Sequence, residues 1–117
     1  MFSDDLVYKT TLAAARRLLK IRLRLHLSQS KVKEGLDSWK SLVQLEEAFQ
    51  EDAETSWANV TACWRGRFTD PVTQAFFNQA LSQAWLEARE DVESSFIRQD
   101  IDPVWVRSRM SEYRAPC

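Results

Sequence analysis

Glycine and proline are rare in this chain, and their rarity constrains the fold more than any other feature. Two glycines and three prolines occur in 117 residues, and none of them lies among the first 34. A sandwich or barrel of many short strands needs a turn residue about every ten positions. The sequence therefore predicts an all-α fold. At this length we expect one domain, residues 1–117, built as a bundle of four to five helices.

Apolar residues recur at helical spacing along the first segment. Ser3, followed by Asp4 and Asp5, predicts a capped helix start, and this first helix is expected to run to about Ser28. Its apolar residues form two neighbouring stripes, which predicts a helix at the centre of the bundle. The stripes comprise Val7, Ala14, Leu18, Ile21 and Leu25 on one side, and Tyr8, Leu12, Ala15, Leu19 and Leu23 on the other.

The middle of the chain predicts either one long helix or two. A second helix start is expected near Ser30, Gly35 is one possible interruption, and Gly66 predicts the stop. Two apolar stripes run through residues 31–66. They comprise Val32, Leu36, Trp39 and Val43 on one side, and Leu42, Phe49, Ala53, Trp57 and Val60 on the adjoining side.

Two Asp-Pro pairs predict the last two helix starts. Each combines an Asp cap with Pro at the first helical position. The pair at Asp70 predicts a helix from Pro71 to about Arg98, with an alanine-rich stripe suited to close helix packing. The pair at Asp102 predicts a short final helix that places Val106 and Met110 on one side.

Basic and acidic residues are segregated along the chain. The net charge of −1 supplies no overall field that would draw the protein to nucleic acid or to an anionic membrane. Residues 6–33 contain eight basic side chains and no acidic one, whereas residues 34–54 contain seven acidic side chains and one basic one. Such blocks predict segments that neutralise one another within the fold or across a homodimer.

The residue types that catalysis requires are scarce. His26 is the single histidine and has no identifiable catalytic partner. Cys63 and Cys117 fit neither a disulfide framework nor a zinc site, and two glycines cannot build a phosphate-binding loop. We therefore expect a protein that is not an enzyme and uses no cofactor, metal or small-molecule substrate.

The same features predict a cytoplasmic protein. Two cysteines far apart in the sequence are typical of a reducing compartment. The N-terminus is acidic where a signal peptide is basic, and no apolar run reaches the roughly 18 residues of a membrane span. We therefore expect a soluble protein without a membrane partner.

Basic side chains on the first helix suggest one class of function. They recur at steps of seven and four, so they form a single row on a continuous helix. A groove-lining subunit of a ribonucleoprotein complex, such as an RNA-guided defence complex, could bind phosphates along this row with strong salt dependence. The alternatives are that the row faces the acidic segment or solvent. The basic row comprises Lys9, Arg16, Arg17, Lys20, Arg24 and Lys31.

Aromatic residues suggest a second class of function, which we favour. Five Trp, six Phe and two Tyr are more than a small helical core readily hides, and Trp and Tyr are favoured anchors of interfaces. Trp105 is one candidate anchor. Trp64, followed by Arg65 and Arg67, is the other. This pattern predicts a non-enzymatic helical module that binds a protein partner.

One stretch carries a resemblance. Residues 77–89 resemble the pattern F-x-x-A-L-x-x-A-W-x-x-A-R of small uncharacterised helical proteins of phages and prophages. The residues that match are Phe77, Ala80, Leu81, Ala84, Trp85, Ala88 and Arg89. The resemblance implies a mobile-element protein, a setting in which small helical products bind and block or adapt a larger host complex.

Overall fold

The protein is an all-α bundle, as the sequence predicts. A computed structural model describes residues 4–64 and 70–113, with the backbone alone described at Asp4 and Trp64. Within these ranges the chain forms four α-helices and one 3-10 turn, and it contains no strand. The helices are α1 (Asp4–Lys33), α2 (Lys40–Trp64), α3 (Pro71–Arg98) and α4 (Pro103–Glu112), and the 3-10 turn (Asp37–Trp39) precedes α2.

The end of α1 differs from the sequence prediction. The helix continues through Ser28 to Lys33, and no new helix starts at Ser30. The Ser30 hydroxyl donates a hydrogen bond of 2.9 Å to the carbonyl of His26 one turn earlier, so it does not cap a following helix. The chain leaves α1 at Gly35, whose φ of +91° is open to glycine at little cost.

Residues 31–66 contain a helix break, which decides between the two alternatives. The break lies at Gly35, and α2 begins at Lys40 after the 3-10 turn. Asp52 and the pair Thr55 and Ser56, which are possible interruptions on sequence grounds, lie inside α2 without ending it. The predicted stop at Gly66 falls outside the described residues.

Both Asp-Pro starts are confirmed. An Asp70 Oδ1 atom accepts a hydrogen bond of 3.0 Å from the backbone N–H of Val72, and Pro71 occupies the first turn of α3. Asp102 accepts from the Val104 N–H at the same distance and starts α4. Each carboxylate satisfies a backbone donor that the helix itself cannot pair.

The core forms where α1 packs against α3 and α4. Alanines 80, 84 and 88 of α3 are fully buried, as the alanine-rich stripe predicts. Their small side chains let the two helix backbones approach closely, and leucines of α1 fill the layer between them. Val106 and Met110 of α4 close one end of this core. The other large apolar side chains buried in this cluster are Leu19, Leu23, Leu27, Val92 and Phe96.

Helix α2 is attached to the other side of α1 and is far less buried. Ala53 packs on Leu18 and Ile21 of α1. The rings of Trp57 and Phe77 stack with centroids 5.9 Å apart and join α2 to α3. The resulting molecule is elongated, with extents of 51 × 25 × 20 Å. None of the described helices combines the length and the apolar content that crossing a membrane requires.

Candidate functional site

The basic row of α1 faces acidic side chains of the same chain. Each of its six members lies within 4 Å of a carboxylate oxygen. The pairs within α1 or at its end are Lys9–Asp5 and Lys31–Glu34, those with α3 are Arg16–Glu87, Lys20–Asp91 and Arg24–Asp91, and the pair with α2 is Arg17–Asp52. Arg22, which lies outside the row, pairs with Glu54 of α2 at 3.1 Å.

Most of these ion pairs are partly exposed, so each contributes little to stability on its own. Their effect on the electrostatic field around the basic row is larger than their effect on stability. The carboxylates of α2 and α3 lie on both sides of the exposed part of α1, and they cancel much of the field that the row would project toward a polyanion. Arg17 and Lys31 thus contact the acidic segment at residues 34–54, as one of the arrangements open to the sequence predicts, whereas Arg16, Lys20 and Arg24 pair with carboxylates of α3.

Trp105 is held within the fold instead of projecting as a free anchor. Its indole N–H donates a hydrogen bond of 2.7 Å to Glu34 at the end of α1. The ammonium group of Lys31 lies 4.0 Å from the ring centroid, which is a favourable cation–π distance. The indole is half-buried against the core. The other three candidate anchors, the Trp64 side chain, Arg65 and Arg67, lie outside the described residues.

His26 joins α1 to the end of α4. Its Nε2 atom lies 3.0 Å from the carbonyl oxygen of Arg109, and since a carbonyl can only accept, Nε2 carries the proton. The ring lies 5.9 Å from that of Tyr113, and a Glu112 carboxylate oxygen is 3.8 Å from Nε2. These contacts give the histidine a structural role.

Three large apolar side chains of α2 are exposed. Leu42, Leu45 and Phe49 retain 42%, 52% and 47% of their accessible surface. Their spacing of three and four residues places them on one side of the helix, and we call them the apolar row. Leu42 and Phe49 belong to one of the apolar stripes that the sequence places along this helix. Ala53 and Trp57 of the same stripe face α1, so the stripe straddles the edge of the buried side.

The apolar row borders an open groove on the exposed side of α1. Phe49 forms one wall of the groove, which has a volume of about 420 Å³. Ala13 and Ile21 supply its other apolar surface. Four cations of the basic row complete the lining: Arg16, Arg17, Lys20 and Arg24. The groove therefore places an apolar patch beside cations that are paired with carboxylates of the same chain. Such a surface is suited to a binding partner whose own surface carries both apolar and charged groups.

One carboxyl group close to this face is buried. Glu46 is 8% exposed, and its Oε2 atom has no hydrogen-bond partner. Burial raises the pKa of the Glu46 carboxyl, and the nearby positive charge of Arg24 only partly opposes that effect. At the other edge of α2, hydrogen bonds from Gln50 and Arg22 lower the pKa of Glu54.

The sequence signal for the apolar row is present but ambiguous. Leu42, Leu45 and Phe49 have the spacing of a buried stripe, and only the packing direction of α2 decides which apolar residues are covered.

No group of three or more His, Cys, Asp or Glu side chains suited to a metal occurs in the part of the chain that the structure describes. Comparison with known family models, with curated proteins and with solved structures finds no match for this chain.

Proposed function

We propose that this chain is a non-enzymatic helical module that binds protein through the apolar row of α2 and the adjoining groove of α1. The observation that carries the proposal is the exposure of Leu42, Leu45 and Phe49 in one row. Large exposed apolar patches with polar rims mark interaction surfaces in soluble proteins. The groove supplies the polar rim.

The ion pairs of the basic row favour a protein partner over nucleic acid. A polyanion gains affinity by replacing counterions with protein cations, and here protein carboxylates already hold those cations. Glu90 and Asp91 of α3 line a second groove beside Arg16 and Lys20, where they would repel phosphates. A protein surface can instead place an apolar side chain against Phe49 and match individual charges.

The resemblance of residues 77–89 to phage and prophage proteins extends the proposal to the kind of protein this chain is and to the partner that it binds. It favours a mobile-element protein that binds and blocks or adapts a larger host complex. The three alanines of the motif pack against α1, so the motif describes how the bundle is held together. The binding face lies elsewhere, on α1 and α2.

Affinity capture with matched variants tests the proposal. The tagged chain, Phe49→Glu and Leu86→Glu are each passed through lysate of the native host or a near-native host. Leu86 lies on α3, is not among the residues that line the groove and is 50% exposed, so its substitution introduces the same charge at a similarly exposed site. We expect proteins retained by the wild type and by Leu86→Glu to be lost with Phe49→Glu. Retention of nucleic acid alone, released by salt, would contradict the proposal and favour the groove-lining subunit.

A further inference from the structure

Helix α2 is attached to the bundle through few buried side chains. Among the side chains described for it, at residues 40–63, those of Ala53 and Glu46 are the two that are buried. Helix α3 has a similar length and buries six. Because buried apolar side chains provide most of the free energy that holds a helix to its neighbours, α2 is the least firmly packed of the three long helices.

The main core is complete without α2. Among the residues that the structure describes, ten side chains form the buried cluster between α1, α3 and α4, and none of them belongs to α2. Trp57 of α2 touches this cluster only with a partly buried ring. Removal of α2 from the bundle would therefore leave the buried cluster intact.

One of the two buried side chains of α2 opposes its attachment when ionised. The Oε2 atom of Glu46 has no hydrogen-bond partner. Burial raises the pKa of this carboxyl, and the positive charge of Arg24 on α1 only partly opposes that effect. The 3-10 turn before α2 brings Asp37, which pairs with Lys40 at 3.3 Å. A buried carboxylate in these surroundings gains free energy when it returns to water.

From these observations we propose that α2 opens reversibly from α1 while α1, α3 and α4 stay packed, and that ionisation of Glu46 promotes the opening. The pivot lies at the 3-10 turn. There the ring of Trp39 stacks on that of Phe96 with centroids 5.9 Å apart, which holds the start of α2 to the core.

Opening exposes the side of α1 that α2 covers. Leu18 and Ile21 lose their cover, and Arg17 and Arg22 lose the α2 carboxylates with which they pair. The opened α1 therefore presents apolar and cationic side chains together. The groove beside the apolar row is absent from this form, since Phe49 leaves with α2. The opening is a property of the free chain and does not depend on what the closed face binds.

Linkage between ionisation and opening sets the pH range. Opening should be least favourable near pH 4.5, the ordinary pKa of a glutamate, and should increase as the pH rises through the raised pKa of Glu46. Glu54 acts in the opposite direction at lower pH. Hydrogen bonds from Gln50 and Arg22 lower its pKa, and the Arg22 bond is lost on opening, so this contribution to closure weakens only as the pH falls below about 4.5.

Amide hydrogen exchange of the full chain, followed by mass spectrometry of its peptides, tests the proposal. Each rate is divided by that of the unstructured peptide at the same pH, which gives a protection factor. At pH 7 we expect protection of α2 to be at least about tenfold below that of the centres of α1 and α3, because a detached helix is marginal in water.

A matched pair of variants tests the role of the carboxyl. Glu46→Gln should raise the protection of α2 about fivefold at pH 7, and the gain should shrink toward pH 4.5. Glu47→Gln removes the same charge at the exposed neighbouring position and should change the protection of α2 by less than about twofold. An equal gain in both variants, or a loss of α2 protection with Glu46→Gln, would overturn the proposal.

A core variant tests whether α2 opens alone. Val92→Ala leaves a cavity in the main cluster and should lower the protection of α3 by at least about tenfold. The protection of α2 should stay unchanged, because its exchange does not require the main core to unfold. Equal protection of α2 and α3 in the wild type, or an equal loss in both with Val92→Ala, would show that the bundle unfolds as one unit and would overturn the proposal.

Discussion

Lys20 and Arg24 lie one turn apart on α1 and both contact the carboxylate of Asp91, at 3.3 and 3.5 Å. One negative charge on α3 therefore serves two positive charges in the middle of the basic row. Loss of the Asp91 charge should therefore raise the positive potential of the basic row more than loss of a carboxylate that pairs with a single cation.

Asp91→Asn is predicted to strengthen binding to a polyanion. The substitution leaves Lys20 and Arg24 without their common partner, so the variant should elute from a heparin column at higher salt than the wild type. Glu51→Gln is the control, because it makes the same charge change at an exposed position with no ion pair among the described residues. Equal shifts for both variants would show that net charge, and not the pairing, controls retention. The stability loss should stay below about 1 kcal/mol.

The fold could be read from the sequence where local chemistry determines it. The Asp70 and Asp102 caps are decided by residues within one turn, and both starts are correct. The alanine stripe of α3 likewise identifies its own buried side. The sequence predicts too early an end for α1, because the Ser30 hydroxyl can either cap a following helix or bond back to a carbonyl, and the local sequence permits both.

The candidate site could be read only in part. The charge blocks predicted mutual neutralisation within the fold or across a dimer, and the ion pairs between α1 and its neighbours confirm the first of these. The sequence does not predict the apolar row as an exposed surface, because its exposure depends on how α2 is rotated against α1. That rotation is set by tertiary packing, with Ala53 and Trp57 turned inward, and no single-helix pattern specifies it.

Glu46→Gln is predicted to stabilise the protein at neutral pH. The pKa of the Glu46 carboxyl is raised by burial from its ordinary value of 4.5, so ionisation of this group opposes folding. Its stabilising contribution is complete below about pH 4.5 and is lost as the pH rises through the raised pKa. The amide removes the buried charge, which should raise the free energy of unfolding by about 1 kcal/mol at pH 7.

Urea denaturation at several pH values checks this prediction. The difference between Glu46→Gln and wild type should shrink as the pH falls toward 4, where the wild-type carboxyl becomes protonated. Glu47→Gln, at the exposed neighbouring position, should stay within about 0.5 kcal/mol of wild type throughout. A stabilisation by Glu46→Gln that is constant with pH would contradict the assignment of the effect to ionisation.

Trp105 variants are predicted to lose stability in two steps. Trp105→Phe keeps an aromatic ring beneath Lys31 but loses the 2.7 Å hydrogen bond to Glu34, at a cost of about 1 kcal/mol. Trp105→Ala also removes the packing and the cation–π contact, so the total should reach about 3 kcal/mol. Thermal unfolding measures both. If Trp105→Ala instead leaves the melting temperature unchanged, the indole is free to act as an interface anchor.

The ends of α1 and α3 share one backbone motif with different residues at its left-handed position. After α1, the N–H of Gly35 donates to the carbonyl of Val32, and that of Leu36 donates to the carbonyl of Lys31. The end of α3 repeats the pattern with Asp100 in place of glycine, at a φ of +60°. In both cases these bonds satisfy carbonyls that the helix leaves unpaired.

Reciprocal substitutions at the two ends should therefore have opposite signs. Asp100→Gly relieves the left-handed conformation of a residue with a Cβ and should stabilise by about 0.5–1 kcal/mol. Gly35→Ala should destabilise by about 1 kcal/mol, and since no atom lies within 4 Å of the added Cβ, the cost is conformational. The midpoint of urea unfolding measures both changes. Stabilisation by Gly35→Ala would mean that α1 continues past residue 35 in solution, and the break before α2 would then lie elsewhere.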